Sequence, residues 1–438
     1  MTESQSITEA VKALYEKHPY PHYPLFAKPR WQDGYLTSSL FAQTLGNGTP
    51  PAPPPRSHEV LIAGSGEVLP YIMRHWEPAS IRLTAVDLSA RSLRRARIRL
   101  GLTLAKTDFV KDDINTFLDT CRQTGRTFRH VEAFGMLHHL PDPDLTLALL
   151  AQQLEDGGTM RAMVYNGTSR RWIHQIQNFL RALEFSASTD RSVAEARDLI
   201  AILAKSSSYY AQRLSQMGPG ILNNRTRFAD AFLHPHEVRW NVAQWLEGFS
   251  RAGFNILGIF DRFGELDDLP NPLYSPPDPD ALEVRAADLR FENNLEVFLS
   301  KNSTVTDASL KPARRLKLML PPHLWFSFPE TGSIKPLTRL TIWHFFINHL
   351  AGSVQNIPAG ILKLPDKSLQ RLARLGALPV TARMPESMRR LLLAPMVAAM
   401  DPPQVPEKQK LSGTPLDLTI RRRFPEKEAE RLLNLLVG

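Results

Sequence analysis

One cysteine, Cys121, stands in the whole chain of 438 residues. It can close no intrachain disulfide, and neither a disulfide scaffold nor a cysteine-rich zinc site can be built, which predicts a reducing, cytoplasmic setting. Long apolar runs are missing too. Nothing approaches the roughly 18 uninterrupted apolar residues of a membrane span, and the opening "MTESQSITEAVKALYEKHPYP" has no basic segment leading into an apolar stretch, so neither a span nor a leader is expected. Internal repeats are not evident. His234 and His236 in "FLHPHE" have no cysteine nearby and no HExxH pattern, so no metal site is expected.

Acidic residues are scarce at one end only. From Asn302 onward there are 20 Lys and Arg against 10 Asp and Glu, so that third carries the whole excess behind the net charge of +9. A basic face of this kind suits nucleic acid, anionic lipid or an acidic protein, or is simply solvated. Its clusters "RRLKLML" and "TIRRRF" belong to no established nucleic-acid motif. The patterns "LTRLTIWHFFINHLAG", "KSLQRLARLGALP", "ESMRRLLLAPMVAAM" and "EKEAERLLNLLVG" predict a small, mainly helical domain over 302–438.

Punctuation divides the remainder. A helix over "ITEAVKALYEKH" stops at the proline-rich "PYPHYP", because the residue before a proline is driven out of the helical region. Residues 1–43 form this arm, with Tyr15, Tyr20 and Tyr23 as either a lid or a packed strap. "GNGTPPAPPPRSHE", about 44–58, is a connector. Strands and helices then alternate: "HEVLIAG", "IRLTAVDLS", "AKTDFVKDDI", "HVEAFGML" and "TMRAMVYN" as strands, with a helix after each of the first four. The helix "DLTLALLAQQL" is expected to run to Gly157 and Gly158. A helical insert follows over about 167–227, and "FNILGIFDR" and "ENNLEVFLSK" supply two edge strands up to residue 301.

Such alternation predicts an α/β, Rossmann-like, mostly parallel sheet that binds its ligand at the carboxyl ends of the strands. Gly64 and Gly66 in "VLIAGSGEV" let backbone pass within contact distance of a ligand. Asp87 ends the next strand, where a carboxylate can accept hydrogen bonds from both ribose hydroxyls of a nucleoside. A nicotinamide-dependent oxidoreductase uses the same two devices, but the third glycine of its loop is missing here.

"VLIAGSGEV", "LTAVDLSARSLRRAR", "DDI", "HVEAFGMLHHLPDPDLTL" and "LEDGGTMRAMVYN" stand in the order and spacing of the class I S-adenosylmethionine-dependent methyltransferases, and the chain resembles that family over about residues 8–300. With "YEKHPYPHYP" and "DAFLHPHEVRWNVAQWLEGFSRAGF", it is similar to a bacterial subgroup whose members mostly lack an assigned substrate. The resemblance implies a seven-stranded sheet over 59–301 with an antiparallel edge pair, and S-adenosylmethionine as cofactor. It places Gly64 and Gly66 against the methionine part, Asp87 on the ribose, Leu88 over the adenine and Asp113 near the adenine amino group. Gly135 and Met136 would border the sulfonium. His138 is the proposed general base, ahead of His139, Tyr165, His234 and His236. The acceptor, a small molecule or a protein side chain, is not identified by the resemblance. Three departures, Glu67 and Val68 in the loop and Arg129 opening the fourth strand, suggest the alternative of a binding or regulatory protein that has lost turnover.

Overall fold

The computed structural model describes residues 2–22, 39, 42, 59–77, 81–101, 107–218, 220–261, 264–265, 294–301, 326–327, 335–336 and 411–437. Tyr23, the connector and most of the basic third lie outside them. The first helix, α1 (Glu3–Lys17), opens with a capping box: Thr2 accepts the Gln5 N–H while the Gln5 side chain accepts the N–H of Thr2.

β1 (Glu59–Ala63) is apolar on both sides because helices cover both faces of the sheet. Val60 and Ile62 pack with Met73 of α2 (Leu69–Trp76). Leu61 and Ala63 turn to the opposite core, which they share with α4 (Ile114–Thr124) and α5 (Pro143–Gln153). Between these come β2 (Arg82–Asp87), α3 (Ala90–Leu100), β3 (Thr107–Lys111) and β4 (Phe128–Phe134). β5 (Leu154–Tyr165) begins directly after α5. The helix therefore ends at Gln153, before the expected glycine stop, because Leu154 is already buried and paired with Phe128. Gly157, at φ +67°, serves the register shift that follows instead.

The sheet runs β3-β2-β1-β4-β5-β8-β6-β7. β1 to β5 are parallel, and β8 (Asn294–Lys301) is antiparallel to both β5 and β6 (Phe254–Asp261). This is the expected seven-stranded Rossmann-like sheet, mostly parallel with an antiparallel edge pair, extended by the two-residue β7 (Gly264–Glu265). Strand order reverses between β1 and β4, so the chain leaving β1 and the chain leaving β4 flank one crevice.

The insert consists of α6 (Arg171–Ala182), α7 (Asp190–Ser206), α8 (Ser208–Gln216) and α9 (Arg225–Phe232). α10 (Val242–Arg251) then returns the chain to β6. β9 (Phe326–Ser327) and β10 (Lys335–Pro336) make a separate two-stranded ribbon. Near the end of the chain, α11 (Pro415–Arg421) and α12 (Glu426–Val437) bury Leu416, Ile420, Leu432 and Leu436 in the same core as Trp172, Phe179 and Leu203 of the insert. The Tyr210 hydroxyl donates to the carbonyl of Leu436 at 2.8 Å. α1 joins this core through Leu14.

Candidate functional site

The loop after β1 turns on glycines because other backbone crowds it. Gly64 sits at φ +63°, and a Cβ there would stand 2.6 Å from Cβ of Met136 in the loop after β4. Gly66, at φ +55°, donates its N–H to Asp87 Oδ2 at 2.7 Å, and Ser89 N–H donates to Oδ1 at 2.8 Å. Asp87 thus staples the loop to the end of β2, while Ser89 caps α3. Each carboxylate oxygen still has a lone pair to offer a ligand hydroxyl. Burial pushes the Asp87 carboxyl up to about 6, against the pull of the Ser89 and Gly66 N–H groups.

The loop departures acquire definite positions. Glu67 is fully buried, with an ion pair to Arg95 and another to Arg99 Nη2 at 3.1 Å. It lies off the cavity wall, held by α3, so its charge is answered inside the protein. Val68 is buried on the wall at the start of α2. Arg129 is at the amino end of β4, where it donates to the carbonyl of Asp156 at 3.1 Å. That is the sheet edge opposite the crevice.

Across the crevice, Asp113 caps α4 by accepting the N–H groups of Asn115 and Thr116 through Oδ1, at 2.9 and 3.3 Å. Asp112 Oδ1 accepts the Asp113 N–H at 2.9 Å. Gly135, at φ +79°, donates to the carbonyl of Met163 at 3.1 Å, which fixes the start of the loop that carries Met136.

A layered aromatic and ionic cluster forms the other half. The Tyr165 ring is stacked on His138 with centroids 3.6 Å apart, and the Arg170 guanidinium carbon stands 3.5 Å from the same ring centroid. Glu237 holds Arg170 through two hydrogen bonds of 2.9 and 3.0 Å, and His174 Nε2 reaches the same carboxylate at 2.7 Å. Burial alone would raise the Glu237 carboxyl, but Arg170 and His174 outweigh it and hold the group well below the usual range. His139 stacks on His234 at 3.8 Å, and burial lowers its imidazole to about 4. Tyr15 of α1 donates to Asp230 Oδ1 of α9 at 3.1 Å. Asp230 is buried, and its carboxyl is pushed up to about 7 by that burial, offset in part by Tyr15 and Arg170.

One cavity of about 360 Å³ joins the two halves. Gly64, Gly66, Asp87, Leu88, Asp113, Gly135 and Met136 all line it. Of the histidines considered, His139 is on the wall. His138 lies behind Tyr165, with Nδ1 accepting the Tyr165 N–H at 3.3 Å, and burial lowers its imidazole well below the ordinary value. His234 and His236 are not on the wall, although burial keeps the His234 imidazole well below its ordinary value. Tyr15 and Tyr20 of the arm are part of the wall, and Glu16 accepts the Ala90 N–H at 2.6 Å to tie α1 to α3. Asp230 and Asn294 escaped the sequence reading: both are distant in the chain from the strand ends, and although Asp230 opens "DAFLHPHE", nothing local marks it as facing the cavity. Arg161 also lines the cavity, but Glu132 Oε1 holds it at 3.0 Å and Glu296 Oε2 at 2.8 Å. Among the described residues no group of three His, Cys, Asp or Glu side chains could share a metal, and no helix is long and apolar enough to cross a membrane.

A pH prediction follows from Asp87. A carboxyl with a pKa near 6 folded and 3.8 unfolded binds its proton more tightly in the folded chain. Its ionisation therefore weakens the ligand-free fold above about pH 6, and its contribution to stability rises as pH falls toward 3.8. A ligand that needs the anion shows the opposite trend. Affinity for a ribose-bearing ligand is expected to fall as pH drops from 7 through 6 toward 5, measured by titration calorimetry at each pH. A flat profile would mean that Asp87 does not hold the ribose.

Comparison with known proteins gives one family match, a methyltransferase domain over residues 61–158. An uncharacterised protein of Synechococcus sp. is 31% identical over 268 residues, covering 59% of this chain and 61% of that one. The ubiquinone biosynthesis O-methyltransferase of Idiomarina loihiensis is 27% identical over 131 residues, covering 26% of this chain and 53% of its own. The chain thus spans little more than half the length of these two relatives. Among solved structures, PKMT2 from Rickettsia typhi in complex with AdoHcy is similar at TM-score 0.47 and 15% identity, over 86% of this chain and 74% of that one.

Proposed function

Because residues 61–158 form a methyltransferase domain on a Rossmann-like sheet, we propose that the protein transfers a methyl group from S-adenosylmethionine to an acceptor bound in the second half of the cavity. The cofactor supplies a methyl group already activated on a sulfonium cation, so the protein has to bind, align and exclude water, and in some cases remove a proton.

The observation that carries this reading is the sign of the cavity. Asp87, Asp112, Asp113 and Asp230 all line it, and the cation among its described lining residues, Arg161, is neutralised by Glu132 and Glu296. An acidic cavity suits a sulfonium. It opposes the doubly charged pyrophosphate of a nicotinamide dinucleotide, which also lacks its usual third glycine at Val68. Gly64 and Gly66 would lie against the methionine part, Asp87 would accept from the ribose, and Leu88 and Asp113 would face the adenine. Gly135 and Met136 would border the reacting methyl. With His138 behind Tyr165, the groups on the wall that can reach an acceptor are His139, Tyr165 and Asp230.

The reading of a retired enzyme loses two of its three supports, since Glu67 is paired within the protein and Arg129 is on the far edge, while Val68 stays on the wall. The lone cysteine, which can close no intrachain disulfide, supports a reducing, cytoplasmic location. Nucleic acid as acceptor would draw on the basic residues after Asn302, and it requires binding that weakens steeply with salt and is lost when they are removed.

Calorimetric titration with S-adenosylmethionine and, separately, with NADH tests the proposal. Micromolar binding of the first and none of the second is expected. Binding of NADH alone, or of neither, overturns it.

A further inference from the structure

A buried carboxylate is normally matched by a cation or by several hydrogen bonds. Asp230 has neither. Among the described residues it makes one hydrogen bond, from the Tyr15 hydroxyl, and no ion pair, although it is only 7% exposed. The nearby cations are spoken for. Arg170 is held by both oxygens of Glu237, and Arg227, on the same helix, donates to the carbonyl of Met217. Burial keeps the neighbouring His139 imidazole uncharged at neutral pH. A cation is therefore missing from this wall, and the wall opens on the cavity.

Resting on the methyl-transfer reading, we propose that the acceptor is an amine, which enters as an ammonium, pairs with Asp230 beside Tyr15 and Tyr165, and gives its proton to that carboxylate. With His138 and Arg170 covering both faces of the Tyr165 ring, the ring presents its edge to the cavity and serves as a fixed stop. Tyr15 holds one carboxylate oxygen and leaves the other for the ammonium.

The step balances as follows. One N–H bond of the ammonium breaks, the proton goes to an Asp230 oxygen and the electron pair stays on nitrogen. That pair forms the new N–C bond to the methyl group while the C–S bond breaks and its electrons stay on sulfur. Asp230 then loses its proton to water, so the same carboxylate faces an ammonium before and after transfer, and the methylated ammonium and S-adenosylhomocysteine leave. A carboxylate acceptor would be repelled there. An alcohol is too weak an acid for a carboxyl near 7 to deprotonate.

The test uses the full chain at pH 7.5 with methyl-labelled S-adenosylmethionine and, in separate arms, n-butylamine, polylysine, n-butanol and butyrate. Label is expected in the amines at ten times or more the level in the alcohol or carboxylate. The preferred amine distinguishes a free acceptor from a protein side chain. Asp230→Asn is expected to lower transfer to the preferred amine about 100-fold and to change cofactor affinity less than twofold. Trifluoroethylamine is already neutral at this pH, so with it the variant should lose less than about tenfold, a rescue that a purely structural role would not produce. Label in the alcohol or carboxylate, label in none of the four, or an equal loss with trifluoroethylamine overturns the amine assignment. Failure to bind the cofactor overturns the methyl-transfer reading itself.

Discussion

Replacing Glu67 by alanine is expected to destabilise the protein by about 3–5 kcal/mol. The Glu67 carboxylate lies between Arg95 and Arg99, and the Glu67 and Arg99 side chains are 0% and 1% exposed. Its removal leaves two guanidinium groups facing each other without the carboxylate between them. Typical domains are stable by only about 5–15 kcal/mol, so the shift should be plain in urea denaturation followed by circular dichroism. A change under about 1 kcal/mol would show that the carboxylate does not hold α3 to the loop. Glu67 is thus a local solution to packing the loop on an arginine-rich helix.

Asp87→Ala is expected to weaken S-adenosylmethionine binding at least about 100-fold. Two hydrogen bonds from ribose hydroxyls to a carboxylate are worth roughly 1.5–3 kcal/mol each, and about 1.4 kcal/mol is a factor of ten. The same substitution orphans the N–H groups of Gly66 and Ser89, which costs about 1–3 kcal/mol each, so the loop loosens as well. Calorimetry on protein shown to be folded by its thermal transition separates the two effects. Asp87→Asn, which keeps an acceptor oxygen, should lose less stability than alanine while still losing affinity. Unchanged affinity in both variants would remove Asp87 from the site.

The part of the cavity lined by the strand-end loops was legible in the sequence because each of its residues is placed by a local rule. Gly64, Asp87, Asp113 and Gly135 all follow directly from a strand end, and strand ends can be read from short apolar runs and the turns that stop them. Even the loop departures were visible, though not their resolution: that Glu67 turns to Arg95 and Arg99 depends on which face of α3 packs against the loop. The wall around Tyr15, Tyr165 and Asp230 obeys no local rule. Tyr15 and Asp230 are 215 positions apart and meet only because α1 and α9 enter one core. His138 and His139 are neighbours in a single turn of 3₁₀ helix, and which of them faces the cavity was decided by the stacking of His138 on Tyr165. The β5 start was misjudged for the same reason: Leu154 is drawn out of the helix by its pairing with Phe128, a partner 26 positions away.

The Arg161 ion group has a further effect on how the sheet closes. Glu132, Arg161 and Glu296 come from β4, β5 and β8, and β8 is added to the edge of β5 from a point more than 120 residues later in the chain. Side chains alternate faces along a strand, so a slip of one residue in β8 would turn Glu296 to the opposite side and leave Arg161 with one carboxylate in place of two. Apolar neighbours such as Val297 and Leu299 tolerate that slip far better, since both faces of the sheet are greasy. The buried charge therefore acts as a key that admits the late strand in a single alignment, and it sets the shape of the cavity rim where Asn294, at the start of the same strand, meets the pocket.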